Sequence, residues 1–371
     1  MAYKSIDAVQ EELASEFFAR TADAKKASGR ALGTFVEIIT YYLIKQWGLL
    51  NAMSIETRLP EYGNSSLTHN VEFTLHKVLS QKKDNPLSTS RELSNSQIAK
   101  DMKLFDNKDF SKSSTKKLLT SKDGFSVIKN GLVVGEKTTS FIVADVDTSN
   151  NTYSVSELSK EAYAMFECKR VGKEGNAKGP QTIEKAKQGA YVALMVSSLQ
   201  KVITPNGEVM GVYFDEKNKP TLGNYQDIVD SITMGANVAL SKFVLTVGIV
   251  SNHGNWFTAN NKNKELEVLS HSYDWLLFLN DEGLTKFITD IFKIKECKDA
   301  FKYSYSINPT TKKKNNNCFT KVNMSYLADK KLTEYFATNI EEIESWFNVL
   351  NHDCKTIDDL VNQLRILGNK Q

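Results

Sequence analysis

The sequence predicts an α/β fold. Three observations point there: helical spacing of apolar residues over 6–47, a strand–turn–strand pattern over 140–156, and a strand-like apolar run from Ala162 to Phe166 that ends in Glu167-Cys168-Lys169.

The N-terminal helices come first. Ile6, Val9, Leu13 and Phe17 share one helical face, and so do Leu32, Phe35, Ile39 and Tyr42, with Gly48 as a stop. Residues 1–80 are therefore expected to be a helical layer that serves as scaffold or dimer contact, with Glu72 on a helix. Residues 81–124 are polar, rich in Ser and Lys, and broken at Asp84-Asn85-Pro86, which suggests an insertion. Within it, Ser94 to Asp101 reads as the opening of a helix-turn-helix, although no matching recognition helix follows.

The expected core spans 125–250. Ser140-Phe141-Ile142-Val143-Ala144-Asp145-Val146-Asp147 is an apolar run ending in acids, Thr148 to Asn151 has turn composition, and Thr152 to Ser156 alternates with period two. The next strand carries Glu167 and Lys169. In a strand, residues i and i+2 leave the same face, so these two side chains point together while Phe166 and Cys168 point the other way. A carboxylate that holds a divalent metal beside a lysine that meets a phosphate is suited to cutting a phosphodiester. Asp145 and Asp147 are the candidates for a second metal-binding acid, with Asp123 as a third option and Glu72 as a fourth. Downstream, a Gly- and Lys-rich loop leads to Pro180 and a helix with Ile183, Ala186, Ala190, Ala193 and Leu194 on one face and Lys185, Lys187 and Gln188 on its polar side.

Residues 251–371 form a C-terminal region. Phe301, Tyr303 and Tyr305 alternate with polar residues, Lys312-Lys313-Lys314 and Asn315-Asn316-Asn317 follow, and Phe319 to Tyr326 alternates again, so 301–331 reads as a basic hairpin able to touch DNA. Thr356 and Gly368 bracket a final helix.

The Asp/Glu-x-Lys spacing alone is weak, because it recurs at Asp23, Asp101, Asp106, Asp215, Glu296, Asp329 and Asp353. Glu296-Cys297-Lys298 follows a helical run, where i and i+2 diverge, and is expected to be solvated surface. Asp215 follows a strand-like run but leads into a turn.

A meander ending in Glu167-x-Lys169, then a loop and a helix, resembles the PD-(D/E)xK nuclease superfamily. Phe166 to Gly172 together with Gly179 to Tyr191 is similar to type II restriction endonucleases, and Ser28 to Gly33 entering a long helix is similar to their entry segment. The clear likeness covers about 60 residues. It implies a restriction-endonuclease-like core, a mixed central sheet with flanking helices, and Mg²⁺-dependent hydrolysis of double-stranded DNA at a short sequence within a restriction-modification system. It implies that Glu167 is a metal ligand, that Lys169 orients the attacking water and stabilises the developing charge, and that Asp145 or Asp147 completes the metal site. Neither aspartate follows a proline, which departs from the family pattern. Cutting both strands needs two active sites, so a homodimer or a heteromer with a second nuclease subunit is expected.

Composition agrees with a globular chain and narrows little else. The 371 residues are 41% hydrophobic and 25% charged, with a net charge of +3. No apolar run is long enough to span a bilayer, and the N-terminus lacks the pattern of a secretion signal. The four cysteines are widely spaced, which favours a reducing, cytoplasmic setting over a disulfide framework or a zinc site. Two other readings remain: a repair or modified-DNA nuclease of the same fold, and a non-catalytic DNA-binding protein that uses residues 90–120 and carries Glu167–Lys169 as a surface ion pair.

Overall fold

A computed structural model describes residues 5–19, 23–61, 64–122, 124–171, 197, 199–215, 217–236, 243–252, 269–306, 317–351 and 355–369. A long strand, Thr152–Val171, organises the main sheet. In chain order the strands are β1 Met53–Glu61, β2 Asn64–Pro86, β3 Leu93–Ser94, β4 Ser111–Lys112, β5 Lys117–Lys122, β6 Phe125–Lys129, β7 Leu132–Glu136, β8 Ser140–Asp147, β9 Thr152–Val171, β10 Gln200–Ile203, β11 Val209–Phe214, β12 Pro220–Asn224, β13 Leu245–Asn252, β14 Trp275–Leu279, β15 Asn323–Ser325 and β16 Phe347–Val349.

The main sheet runs β16-β14-β13-β9-β8-β7-β4, and β1 joins it through β2, which also pairs with β9. It is mixed: β9, β13 and β14 are parallel, whereas β2, β7, β8 and β16 join antiparallel. The first half of β9 lies between β8 and β2, and its second half between β2 and β13. Strand β14 has all five residues buried, the pattern of a strand covered on both faces.

Helices cover this sheet. Helix α1, Ile6–Glu12, is capped by Ser5, and α2, Ala24–Gln46, is capped by Asp23, whose carboxylate accepts from the Lys26 N–H. The predicted faces are the buried ones: Ile6, Val9 and Leu13 on the first segment, and Leu32, Phe35, Ile39 and Tyr42 on the second. Phe35 stacks on Phe301 with ring centroids 5.3 Å apart, and Phe287, Phe292 and Phe319 crowd the same cluster. One continuous buried cluster runs from Ile6 to Leu367, so the N-terminal helices and the last helix share a core. The last helix, Ile357–Asn369, starts as predicted, with the Thr356 N–H donating to Asp359 at 2.8 Å.

Several expectations need correction. Met53–Glu61 and Asn64–Pro86 are strands, not part of a helical layer, so Glu72 lies on β2. Within the polar 81–124 segment, Leu87, Ile98, Ala99, Leu118 and Leu119 are buried in the main core. Its one α-helix, α3 (Asn95–Asp101), is followed by a short 3-10 turn and strands rather than by a recognition helix. The main sheet extends past 250, through β14 and β16, and before 125, through β1 and β2.

Residues 295–305 are a helix, not the first arm of a hairpin. Cys297, Ala300, Phe301 and Ser304 form its buried stripe, and Tyr303 and Tyr305 pack partly buried against the core. Burial of Cys297, Ala300 and Phe301 at helical spacing outweighs the period-two pattern of the aromatics. The basic run at 312–314 lies outside the described residues. No helix among those described is long and apolar enough to cross a membrane.

Candidate active site

Glu167 and Lys169 leave the carboxyl-terminal end of β9 side by side, with Lys169 Nζ 2.6 Å from Glu167 Oε1. Alternation along the strand explains this. The intervening Cys168 turns the other way, where its thiol donates to Thr40 Oγ1 of α2 at 3.3 Å, and Phe166 packs near Trp47. Burial pushes the Cys168 thiol well above its ordinary range, so it is a packing residue rather than a nucleophile. Arg170, also on that side, is held by Ser251 at 2.7 Å and Asp281 at 3.5 Å.

The neighbouring carboxylate is Glu72. The β2–β9 register ends with Phe73 opposite Phe166, so Glu72 comes next to Glu167, and the Glu72 N–H reaches Glu167 Oε2 at 3.4 Å. Lys169 Nζ is also 3.8 Å from Glu72 Oε1. On β1, the register skips Glu56 between Ile55–Phe73 and Thr57–Val71, and Glu56 takes a left-handed φ of 52°. A non-glycine residue in that region stores strain, which clusters where function holds it. Glu56, Glu72 and Glu167 thus sit on three adjacent strands at one level of the sheet. Like charges placed opposite one another destabilise a sheet, so this row requires cations.

A second ammonium supplies part of that charge. Lys321 Nζ lies 3.3 Å from Glu37 on α2, 3.6 Å from Glu56 and in contact with Glu72, and its side chain is only 6% exposed. Burial raises the Glu37 carboxyl above its ordinary value, and the ammonium groups of Lys321 and Lys169 oppose that rise. Glu167 itself is 1% exposed on its side chain. Beyond Glu167 the row ends at Gly248 of β13, its partner in the parallel ladder. The Tyr273 ring fills the space a Cβ would take, 2.7 Å from the ideal position, and so walls the carboxylate on that side.

Asp145 and Asp147 are not brought to this end. Asp145 is opposite Ser154 and Asp147 opposite Thr152, so Asp145 pairs thirteen residues (167 − 154) before Glu167 along β9, roughly 40 Å of extended chain. Asp145 is buried and accepts from the Gly131 N–H at 2.7 Å. Burial pushes its carboxyl up to about 6, against the lowering effect of that hydrogen bond. Asp147 caps its own turn, accepting from the Ser149 N–H at 2.9 Å and from Asn150 Nδ2 at 2.8 Å. The expected meander is a hairpin, because residues 152–156 and the run carrying Glu167 are one continuous strand, β9, and antiparallel pairing across a four-residue turn keeps acids at the end of β8 beside the start of β9, not beside its far end.

Other sequence candidates are placed as follows. Glu296 and Lys298 lie on the helix Lys295–Tyr305, and Lys298 pairs with Glu16 at the surface. Asp215 caps a turn by accepting from the Lys217 and Lys219 N–H groups, each at 2.9 Å. Asp123 and the 172–196 segment, with Pro180, Lys185, Lys187 and Gln188, lie outside the described residues.

The chain matches no family model, no curated protein and no solved structure.

Among the described residues no set of three His, Cys, Asp or Glu side chains is open to a metal ion. The three glutamates Glu37, Glu56 and Glu72 are already closed around Lys321. Glu72 and Glu167 form a pair of hard oxygen donors around the Lys169 ammonium. Mg²⁺ takes one or two carboxylates and fills its remaining positions with water and substrate phosphate, so two hard oxygen donors are the least that such an ion would need.

By sequence Glu72 ranks last among the candidate acids, and Glu37, Glu56 and Lys321 are not among the candidates. A signal for Glu72 was available: Val71, Phe73 and Leu75 alternate with Glu72 and Thr74, which is a strand period. Nothing local marks Lys321, whose role arises only from tertiary contacts.

Proposed function

We propose that this chain is a Mg²⁺-dependent endonuclease acting on double-stranded DNA, of the restriction type within the PD-(D/E)xK superfamily. The observation that carries the reading is the placement of Glu72 beside Glu167 and Lys169 at the carboxyl-terminal end of β9. It supplies the second carboxylate that the motif requires, from a different strand than the sequence suggested. Ligands in open α/β sheets favour this end of parallel strands, which adds weight to the location.

In this reading Glu72 and Glu167 hold the ion, which when bound polarises the scissile phosphate and offsets the repulsion between carboxylates and DNA. Lys169 presents a compact charge to the phosphate oxygens and orients the attacking water. That water adds hydroxide to phosphorus as the P–O bond to the leaving sugar oxygen breaks, and the released proton ends on that oxygen. Glu56 and Glu37 tune the cluster through Lys321 rather than touching substrate.

Two features weigh against a merely DNA-binding protein. Glu167 is buried, unlike a solvated surface ion pair, and α3 lacks the second helix that a helix-turn-helix needs. The test is cleavage of a long mapped DNA, with and without Mg²⁺, by wild type and by Lys169→Ala. Discrete Mg²⁺-dependent bands that vanish in the variant are expected. Smearing or nicking selective for DNA structure would replace the restriction role with repair, and shifted but intact DNA would overturn catalysis.

A further inference from the structure

We propose that the ribbon formed by β1 and β2 reads base edges in the DNA major groove next to the cleavage site, with Arg58 and Asn70 as specificity-determining residues. The inference rests on the DNA-cleaving reading above and deepens it.

The ribbon is the part of β1 and β2 that runs past the main sheet. Pairing of β2 with β9 starts at Phe73 opposite Phe166, whereas pairing of β2 with β1 continues to Asn64 opposite Glu61. Among the described residues, 57–61 and 64–71 therefore make a two-stranded extension beyond the level of Glu56 and Glu72. Its faces have opposite characters. Leu59 and Val71 are buried in one cluster with Met165 of β9 and Val244. Thr57 and Thr74 share a hydroxyl hydrogen bond at 2.8 Å. That face fastens the ribbon to the sheet. By alternation the other face continues from Glu56 to Arg58 and from Glu72 to Asn70 and Thr68, and Arg58, Asn70 and Thr68 are exposed.

Arg58 and Asn70 are direct partners in the ladder, so they stand side by side, roughly 5 Å apart at Cβ. A two-residue step along a strand is about 7 Å, which places the pair one step beyond the carboxylates. A ribbon of this kind fits the major groove, which is about 12 Å wide. An arginine fork donates two parallel hydrogen bonds to guanine O6 and N7, and an asparagine amide donates to adenine N7 while accepting from its N6 amino group. The amide is what favours bases over backbone. A phosphate offers only acceptors and leaves the amide oxygen unused, whereas adenine matches both ends. Anchoring from behind fixes the spacing of the pair before DNA arrives. Glu56, on the same face, lies 3.6 Å from the Lys321 ammonium, which offsets its repulsion of DNA.

The test selects bound DNA from a random-sequence duplex pool in Mg²⁺, using the full chain with Lys169→Ala so that the captured DNA stays intact. This parent chain is compared with the same chain carrying Arg58→Gln or Asn70→Ala, both at exposed positions, and thermal unfolding confirms that each is folded. The parent is expected to select a G·C pair next to an A·T pair. Arg58→Gln should change that G·C to A·T, because glutamine makes the paired contact to adenine. Asn70→Ala should lower discrimination at the neighbouring pair by about 10–100-fold and leave the G·C preference in place. A contact to phosphate would instead weaken binding to all sequences alike, and a purely structural ribbon would not exchange one preferred base for another. Uniform weakening, an unchanged consensus in both variants, or no consensus from the parent would each overturn the inference. A consensus that shifts as expected, in a chain whose wild type cuts no DNA in Mg²⁺, would sustain the base-reading ribbon and overturn the hydrolytic reading instead.

Discussion

The two ends of β9 use acids in opposite ways. At the Thr152 end, carboxylates meet backbone and side-chain donors that the fold needs satisfied, and one of them also meets an ammonium group. Asp147 closes the turn, Asp145 holds the Gly131 N–H, and Asp329 accepts from Tyr42 at 2.7 Å and Thr148 at 2.6 Å, with Lys45 at 3.2 Å. At the Val171 end, among the described residues, Glu37, Glu56, Glu72 and Glu167 cluster around the Lys169 and Lys321 ammonium groups. Backbone and hydroxyl donors mark an acid as structural, whereas a buried cluster of carboxylates and ammonium groups at the end of a strand marks a candidate functional site. The hydrogen-bond partners separate the two roles where the sequence spacing alone does not.

The largest expected effect lies at the Val171 end. Glu167→Gln, Lys169→Ala and Glu72→Gln should each slow DNA cleavage by roughly 10²–10⁴-fold, while filter binding of the same DNA stays within about threefold for Lys169→Ala. Single-turnover cleavage with DNA-bound enzyme separates the two quantities. If Glu72→Gln cleaves as wild type does, the second carboxylate comes from elsewhere and the three-strand row has no catalytic meaning.

Next in size is a loss of stability at the Thr152 end. Asp329→Ala leaves Lys45, Tyr42 and Thr148 facing an empty acceptor in a fully buried position. Breaking such a pair costs about 3–5 kcal/mol. Urea unfolding of wild type and variant at one pH measures it. A cost below about 1 kcal/mol would show that this end tolerates an unpaired charge as a surface would.

How much was legible beforehand follows from the same contrast. Local patterns carried the N-terminal helices, the β8–β9 hairpin and the Glu167–Lys169 pair, because each depends on periodicity within a few residues. Which acid joins Glu167 depends on which strand lies beside the far half of β9, and that is a pairing between residues 73 and 166. Proximity in sequence favoured Asp145 and Asp147, yet an antiparallel hairpin fixes them to the near half. The alternation of Phe301, Tyr303 and Tyr305 misled for a related reason. Cys297, Ala300 and Phe301 bury a helical stripe, and core packing decided the period. Lys321 was invisible because its partners sit on α2, β1 and β2, far from it along the chain.

Asp145 offers a pH-dependent way to sharpen the picture. Its folded value of about 6 lies above its ordinary one, so the folded state binds the proton more tightly than the unfolded state. Its contribution to stability is therefore full below about pH 4 and falls as pH rises through about 6. Relative to Asp145→Asn, wild type should lose about 2 kcal/mol between about pH 4.5 and about pH 7.5. Chemical denaturation of both proteins at the two pH values isolates this group from others that titrate in the same range. A difference that does not change with pH would show that the carboxylate is ionised throughout and better solvated than its burial indicates.

The smallest effect falls on Asp147. Its oxygens accept from the Ser149 and Asn150 N–H groups in a turn open to water, so Asp147→Ala lets solvent replace what it removes. A net cost of about 0.5–1.5 kcal/mol is expected, with cleavage and its Mg²⁺ dependence unchanged. This variant bears hardest on the difference between the two ends, since Asp147 is one of the two acids that the motif spacing nominates as a metal ligand. If Asp147→Ala abolishes cleavage while unfolding at nearly the same urea concentration, the acid acts in catalysis after all, and a second strand or a second copy of the chain must bring it there.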